Sequence, residues 1–162
     1  MPIIILETPI RASAEICYNL SLSVDLHQLS TVRTKEHIVA GVREGIMKLG
    51  ESVTWRAKHF GIWLKLSSKI TEANKPAYFV DEMQKGPFKV MRHQHHFIES
   101  CGSILMKDIF MFESPMGILG RIANKLVLED YLRGFLRERN QCIKEMAESG
   151  RWKEILGNSN SF

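Results

Sequence analysis

The stretch Lys89-Val90-Met91-Arg92-His93-Gln94-His95-His96-Phe97-Ile98-Glu99-Ser100-Cys101-Gly102-Ser103-Ile104-Leu105-Met106-Lys107-Asp108-Ile109-Phe110-Met111-Phe112 reads as two strands around a tight turn. Cys101-Gly102 has the length and chemistry of a two-residue hairpin loop. Pairing Ser100 with Ser103 sets the register: Phe97 opposes Met106, His95 opposes Asp108, and His93 opposes Phe110. Residues directly opposite share a face of the sheet. One face then carries Met91, His93, His95 and Phe97 with Met106, Asp108, Phe110 and Phe112, and the other carries Arg92, Gln94 and Lys107. The aromatic-rich face is the expected interior.

Upstream, Ile3 to Ile10 is β-rich and holds Pro9, so it reads as an edge strand. Ser13 precedes a helical run through Leu20, a second turn of helix follows from Val24 to Leu29, and Lys35 to Val39 has weak strand character in a glycine-punctuated loop. Val53, Trp55, Ala57 and His59 alternate with polar neighbours, and after Gly61 the alternation resumes in Ile62, Leu64, Leu66 and Ile70. Asn74-Lys75-Pro76 marks a turn before a strand from Tyr78 to Met83. Downstream, Ser114-Pro115 opens a helix of about thirty residues, long enough to cross a small domain. Its apolar stripe is Leu128, Leu132, Phe135, Cys142 and Met146, widened by Tyr131, Leu136 and Ile143, and Gly150 ends it. This order, with one strand, two short helices, about six strands and a long terminal helix, predicts an α+β domain with an antiparallel sheet.

The length of 162 residues fits one domain, and 44% hydrophobic with 25% charged residues is an ordinary globular composition. A net charge of +4, spread along the chain, lacks the dense basic stripe of a nucleic-acid face. Three cysteines, Cys17, Cys101 and Cys142, without CxxC spacing argue against a disulfide framework and for a reducing cytoplasm. Ile3 to Leu6 is too short for a signal-peptide core, and no run of about 18 apolar residues predicts a membrane span.

Trp55-Arg56-Ala57-Lys58-His59-Phe60-Gly61, the run Phe88 to His93 with His95 and Phe97, Asp108 with Phe110, and Ser114-Pro115-Met116-Gly117-Ile118-Leu119-Gly120 together resemble the bacterial branch of the START/Bet v 1-like (SRPBCC) superfamily, the polyketide cyclase/dehydrase-like helix-grip proteins. The resemblance runs from Ile3 to Glu148. It implies a curved antiparallel sheet of about seven strands wrapped around a long C-terminal helix, with two short helices after the first strand. It divides the chain into a ligand-binding domain over 1–149 and a tail over 150–162. It further implies a cavity for a lipid, polyketide or other hydrophobic ligand. Some relatives are cyclases or hydroxylase subunits and others are carriers. The hydroxylase relatives carry an additional Rieske iron–sulfur domain, whose Cys/His pairs this sequence does not show.

Within this frame His93, His95 and Asp108 are the sharpest chemical constellation. A carboxylate beside an imidazole fixes its tautomer and raises its basicity, so His95 could serve as a general base oriented by Asp108, with His93 as a polar contact. The alternative is a buried pair that satisfies itself and stiffens the sheet. Two histidines at i and i+2 with a carboxylate also make a minimal N/O metal set, but they match no metal motif, so no metal or other cofactor is assigned. No GxSxG elbow, GxGxxG loop or Walker sequence is present. Arg133, Arg137, Arg139 and Lys144 read as a solvated face, with Arg139 falling on the apolar stripe and its head reaching water or an acid.

The expected binding set is Trp55, His59, Met91, His93, His95, Phe97, Met106, Asp108, Phe110, Phe112, Tyr131 and Phe135. The expected partner is an apolar small molecule, with no nucleic acid and no stable membrane insertion, and the oligomeric state stays open. Binding is the leading function. A cyclase or hydrolase using the His–Asp pair, and a protein-interaction domain with a filled core, are the alternatives.

Overall fold

The computed structural model describes residues 1–115 and 127–157. Seven antiparallel strands form a single curved sheet: β1 (Ile3–Ile10), β2 (His37–Gly41), β3 (Ser52–His59), β4 (Ile62–Asn74), β5 (Tyr78–Lys85), β6 (Val90–Ser100) and β7 (Ser103–Glu113). Their order across the sheet is β1-β7-β6-β5-β4-β3-β2, so the proline-bearing first strand lies at an edge, as its sequence predicts. Helices α1 (Ala14–Leu22) and α2 (Val24–Ser30) and a 3₁₀ turn (Val32–Thr34) fill the connection from β1 to β2. The terminal helix α3 spans Glu129–Glu148, and a short helix α4 follows at Trp152–Leu156.

Local chemistry accounts for the boundaries. Ser13 caps α1, its hydroxyl accepting from the Ile16 amide at 3.3 Å, and Ser23 caps α2 through the Leu26 amide at 3.2 Å. Cys101 and Gly102 both take positive φ, 45° and 80°, the backbone that a two-residue hairpin needs to match strand twist. The register beyond that turn is the predicted one: Ser100 with Ser103, Phe97 with Met106, His95 with Asp108 and His93 with Phe110.

The weak strand expected over Lys35 to Val39 is a paired strand, β2, shifted towards Gly41. Gly41 has φ of 84°, and a Cβ there would collide with the Ser52 carbonyl, so only glycine lets β2 close onto β3. Ser114 and Pro115, the expected opening of a helix of about thirty residues, are not helical, and α3 as described is 20 residues long. Met116, Gly117-Ile118-Leu119-Gly120 and the tail Asn158-Ser159-Asn160-Ser161 lie outside the described residues.

Two apolar clusters flank the middle of the sheet. One joins α1 and α2 to the inner face of the strands through Tyr18, Leu26, Phe79, Phe97 and Met106. The other joins the start of α3 to β1, β6 and β7 through Ile4, Met91, Phe112, Leu132 and Leu136. Fully burying a side chain such as Phe79 or Phe112 contributes roughly 1.5–3 kcal/mol.

The buried face of α3 is Leu132, Leu136, Arg139, Asn140, Ile143, Met146 and Ala147. That departs from the predicted stripe: Phe135 and Cys142 are only half-buried, and two polar residues stand in the middle of the face. Arg139 is therefore part of the interior rather than of a solvated basic face, because an acid waits for it there. Beyond Gly150, Leu156 of α4 is buried in the first apolar cluster.

Candidate functional site

Between the two clusters lies a buried polar group built on adjacent strands and closed by α3. Asp108 of β7, 0% exposed, is its centre. Its Oδ1 lies 2.9 Å from His93 Nε2, in a hydrogen bond, and 2.9 Å from His95 Nδ1, in a close ion-pair contact without hydrogen-bond alignment. Its Oδ2 accepts from Asn140 Nδ2 at 2.6 Å, and Arg139 Nη1 stands 3.9 Å from Oδ1. Arg139, 7% exposed, also donates from Nη2 to the Ser21 carbonyl at 3.1 Å. On the other side of the histidines, Asp81 Oδ2 of β5 is 3.4 Å from His95 Nε2.

Register explains the grouping. Asp81 opposes His93 across β5 and β6, and His95 opposes Asp108 across β6 and β7, so four polar side chains meet on one face. Aromatic rings hold the imidazoles in place. Phe79 stacks on His95 at 4.2 Å, Phe110 meets His93 edge-on at 5.1 Å, and the two imidazoles lie 3.7 Å apart.

Burial and neighbours set the charges. Burial, with the nearby His95 adding to it, pulls His93 down to about 4 against the opposing pull of Asp108, so His93 is neutral at pH 7. Burial alone would raise Asp108, but the contacts from His93 and His95 outweigh it and hold the carboxyl well below its usual range. The same competition, won by the bond from His95, keeps Asp81 ionised.

Beside this group the sheet and α3 enclose a cavity of about 300 Å³, at the lower end of small-molecule sites. Its wall is mainly apolar, with Trp55, Leu64, Leu66, Met91, Phe110 and Leu132 contributing. Asp81, His93 and Arg139 enter the wall from the polar group.

A second polar patch stands elsewhere in the wall. His27 Nε2 meets Glu36 Oε2 at 3.1 Å, and His59 Nδ1 meets the Tyr131 hydroxyl at 2.7 Å. Burial would raise Glu36, yet the charge and hydrogen bond of His27 bring it below its ordinary value. Burial lowers His59, and Arg33 adds to that against the attraction of Glu36.

The structure divides the expected binding residues into three groups. Trp55, His59, Met91, His93, Phe110, Tyr131 and Phe135 lie in the cavity wall. His95 and Asp108 stand behind that wall, among its buried supports. Phe97, Met106 and Phe112 are packed elsewhere. Tyr18 covers Phe97 at 5.7 Å, Ser21 donates to the Met106 sulfur at 3.8 Å, and Phe88 meets Phe112 at 5.6 Å. For Phe97 and Met106 the physical reason is α1, which lies over the turn end of the hairpin and seals it, whereas Phe112 is packed in the second apolar cluster with Ile4 and Met91.

Asp81, Asn140 and Glu36 escape the sequence reading. Asp81 shares the parity of Phe79 on β5, and that was its available signal. The three cysteines are unbridged; burial pushes Cys17 up to about 12, while Cys101 is exposed. No described helix is long and apolar enough to cross a membrane.

No family model and no curated protein matches this sequence. Solved structures do. TTHA0849 from Thermus thermophilus is similar with a TM-score of 0.68 at 18% identity, over 88% of this chain and 97% of that one. A START superfamily protein from Mycobacterium smegmatis gives 0.67 at 14% identity, over 91% and 97%. Ginseng major latex-like protein 151 from Panax ginseng gives 0.63 at 14% identity, over 90% and 97%. Sheet order, terminal helix and these likenesses agree: the chain has the START/Bet v 1-like helix-grip fold.

Proposed function

We propose that this protein binds an apolar small molecule, a lipid or polyketide-like compound, in the cavity between sheet and α3. The binding unit is the domain over 1–149, working in the cytoplasm on a small molecule and not on nucleic acid. The observation that carries this reading is the cavity of about 300 Å³ with an apolar wall and two separate polar patches. Apolar surface removes the body of a ligand from water, at roughly 25 cal/mol per Å² buried. Convergent polar groups then select its orientation. His59 with Tyr131, and His93 with Arg139, border the cavity and would meet hydroxyl or carbonyl oxygens of such a molecule.

The test is titration with the apolar dye ANS against wild type and Phe135→Trp, whose larger ring takes up cavity space. Saturable binding at one dye per chain, weakened by the substitution with the circular-dichroism spectrum unchanged, is the expected result. Binding unaffected by Phe135→Trp, or absent from the wild type, counts against this cavity as the site.

A further inference from the structure

We propose that Asp81, His93 and His95 form a site for a divalent first-row cation, Zn²⁺ in the first instance, where the polar group enters the cavity wall. One ligand atom from each of the three lies within 4.8 Å of the others. Two imidazole nitrogens and a carboxylate oxygen are a donor set suited to such ions. At metal–ligand bonds of about 2.0–2.2 Å these atoms need only draw together, and His95 Nε2 and Asp81 Oδ2 already stand 3.4 Å apart.

The second observation is the arrangement of Asp108. His93 presents Nε2 and His95 presents Nδ1 to the same oxygen, both at 2.9 Å. A proton on His93 Nε2 points at Asp108 and leaves a lone pair on His93 Nδ1, while His95 Nε2 bonds Asp81 through a proton that a cation would displace, and His95 Nδ1 is buried without an aligned partner. A carboxylate that receives the far N–H of a metal-binding imidazole fixes its tautomer and aim. Here Asp108 serves His93 in that way. Asp108 is itself no candidate ligand, since Asn140 takes its other oxygen at 2.6 Å and Arg139 stands 3.9 Å from the first.

Charge and access agree with this. Two carboxylates, Asp81 and Asp108, and one guanidinium, Arg139, stand in the cluster. The Asp81 side chain is 22% exposed, and Asp81 and His93 both border the cavity. A cation held there keeps a position open towards the cavity, where an oxygen of a bound molecule or water completes its coordination. The inference stands apart from the ligand reading, because the donor set takes a cation whether the cavity is filled or empty.

The experiment uses the full, untagged chain stripped with EDTA and dialysed into chelator-free buffer. Zn²⁺ is titrated calorimetrically, and Co²⁺ serves as a spectroscopic probe. Expected are one Zn²⁺ per chain and visible d–d bands of bound Co²⁺. Asp81→Asn and His93→Ala should each weaken Zn²⁺ binding by about 100-fold or more, and Asp108→Asn by about 10–100-fold. His37→Gln and His96→Gln, at histidines outside the cluster, should leave it unchanged. Asp81→Asn preserves shape at a partly exposed position, and its circular-dichroism spectrum confirms the fold. Absence of stoichiometric Zn²⁺ binding overturns the proposal. So does binding that survives Asp81→Asn, or binding lost with His37→Gln or His96→Gln instead.

Discussion

Asn140 Nδ2 of helix α3 lies 2.6 Å from Asp108 Oδ2 of strand β7, so the terminal helix is tied to the sheet through a fully buried carboxylate. The bond is charge-assisted and shielded from water, where such contacts are strongest. Asn140→Ala leaves one carboxylate oxygen without this donor and is expected to cost about 2–3 kcal/mol in urea unfolding. Asn140→Asp should cost more at neutral pH, since it sets a second carboxylate against Asp108. Equal stability of all three proteins would remove this tie from the account.

Arg139 carries the positive charge opposite that carboxylate, with Nη2 on the Ser21 carbonyl. Arg139→Met keeps much of the packing volume but strips compensation from a buried anion, a loss of about 3–5 kcal/mol by the usual cost of breaking such a pair. Arg139→Lys should recover part of it. A neutral effect of Arg139→Met, read by the same urea titration, would mean that Asp108 is sufficiently held by the histidines and Asn140.

Burial of His59 gives the protein a pH response. Burial, with Arg33 adding to it, holds folded His59 below its ordinary value of 6.5. The unfolded chain therefore takes up a proton there before the folded one does. Stability from this group is present above the unfolded pKa and is lost as pH falls through the folded value. The melting temperature should drop between about pH 7 and pH 5, and His59→Gln, which does not titrate, should flatten that slope. His93 adds to the wild-type slope, so the comparison between the two proteins isolates His59. An identical slope in both would contradict it.

Thiol chemistry separates the three cysteines. Cys17 is buried and pushed up to about 12, burial being the main cause, Cys142 is half-buried and raised for the same reason, and Cys101 is exposed at the hairpin tip. Ellman's reagent at mildly alkaline pH should label one thiol quickly in the native protein and all three in denaturant. Cys101→Ser should abolish the fast phase. Rapid labelling of Cys17 would show the α1 packing to be looser than described.

Much of this was legible in the chain. Cys101-Gly102 fixes the β6–β7 register because two residues leave one way to close the turn, and the contact between His95 and Asp108 follows from it. Asp81 was not legible in that way. The loop between β5 and β6 is longer, and β4 pairs with β5 through irregular register, so no short turn ties Asp81 to His93. Asn140 was hidden for another reason: a polar residue on a helix reads as solvent-facing, and only the acid on the facing strand makes its inward position favourable. Cavity and core also share one alphabet. Phe97 and Phe110 stand on one sheet face, and what separates them is whether α1 covers the position.

Ligand binding in this cavity is tested by native mass spectrometry of the freshly purified protein, followed by denaturing extraction and identification of what is released. An apolar molecule at one per chain is expected, or uptake of one such ligand from an added panel, reduced in Phe135→Trp. A protein that is empty as isolated and takes up no apolar compound from the panel would contradict it.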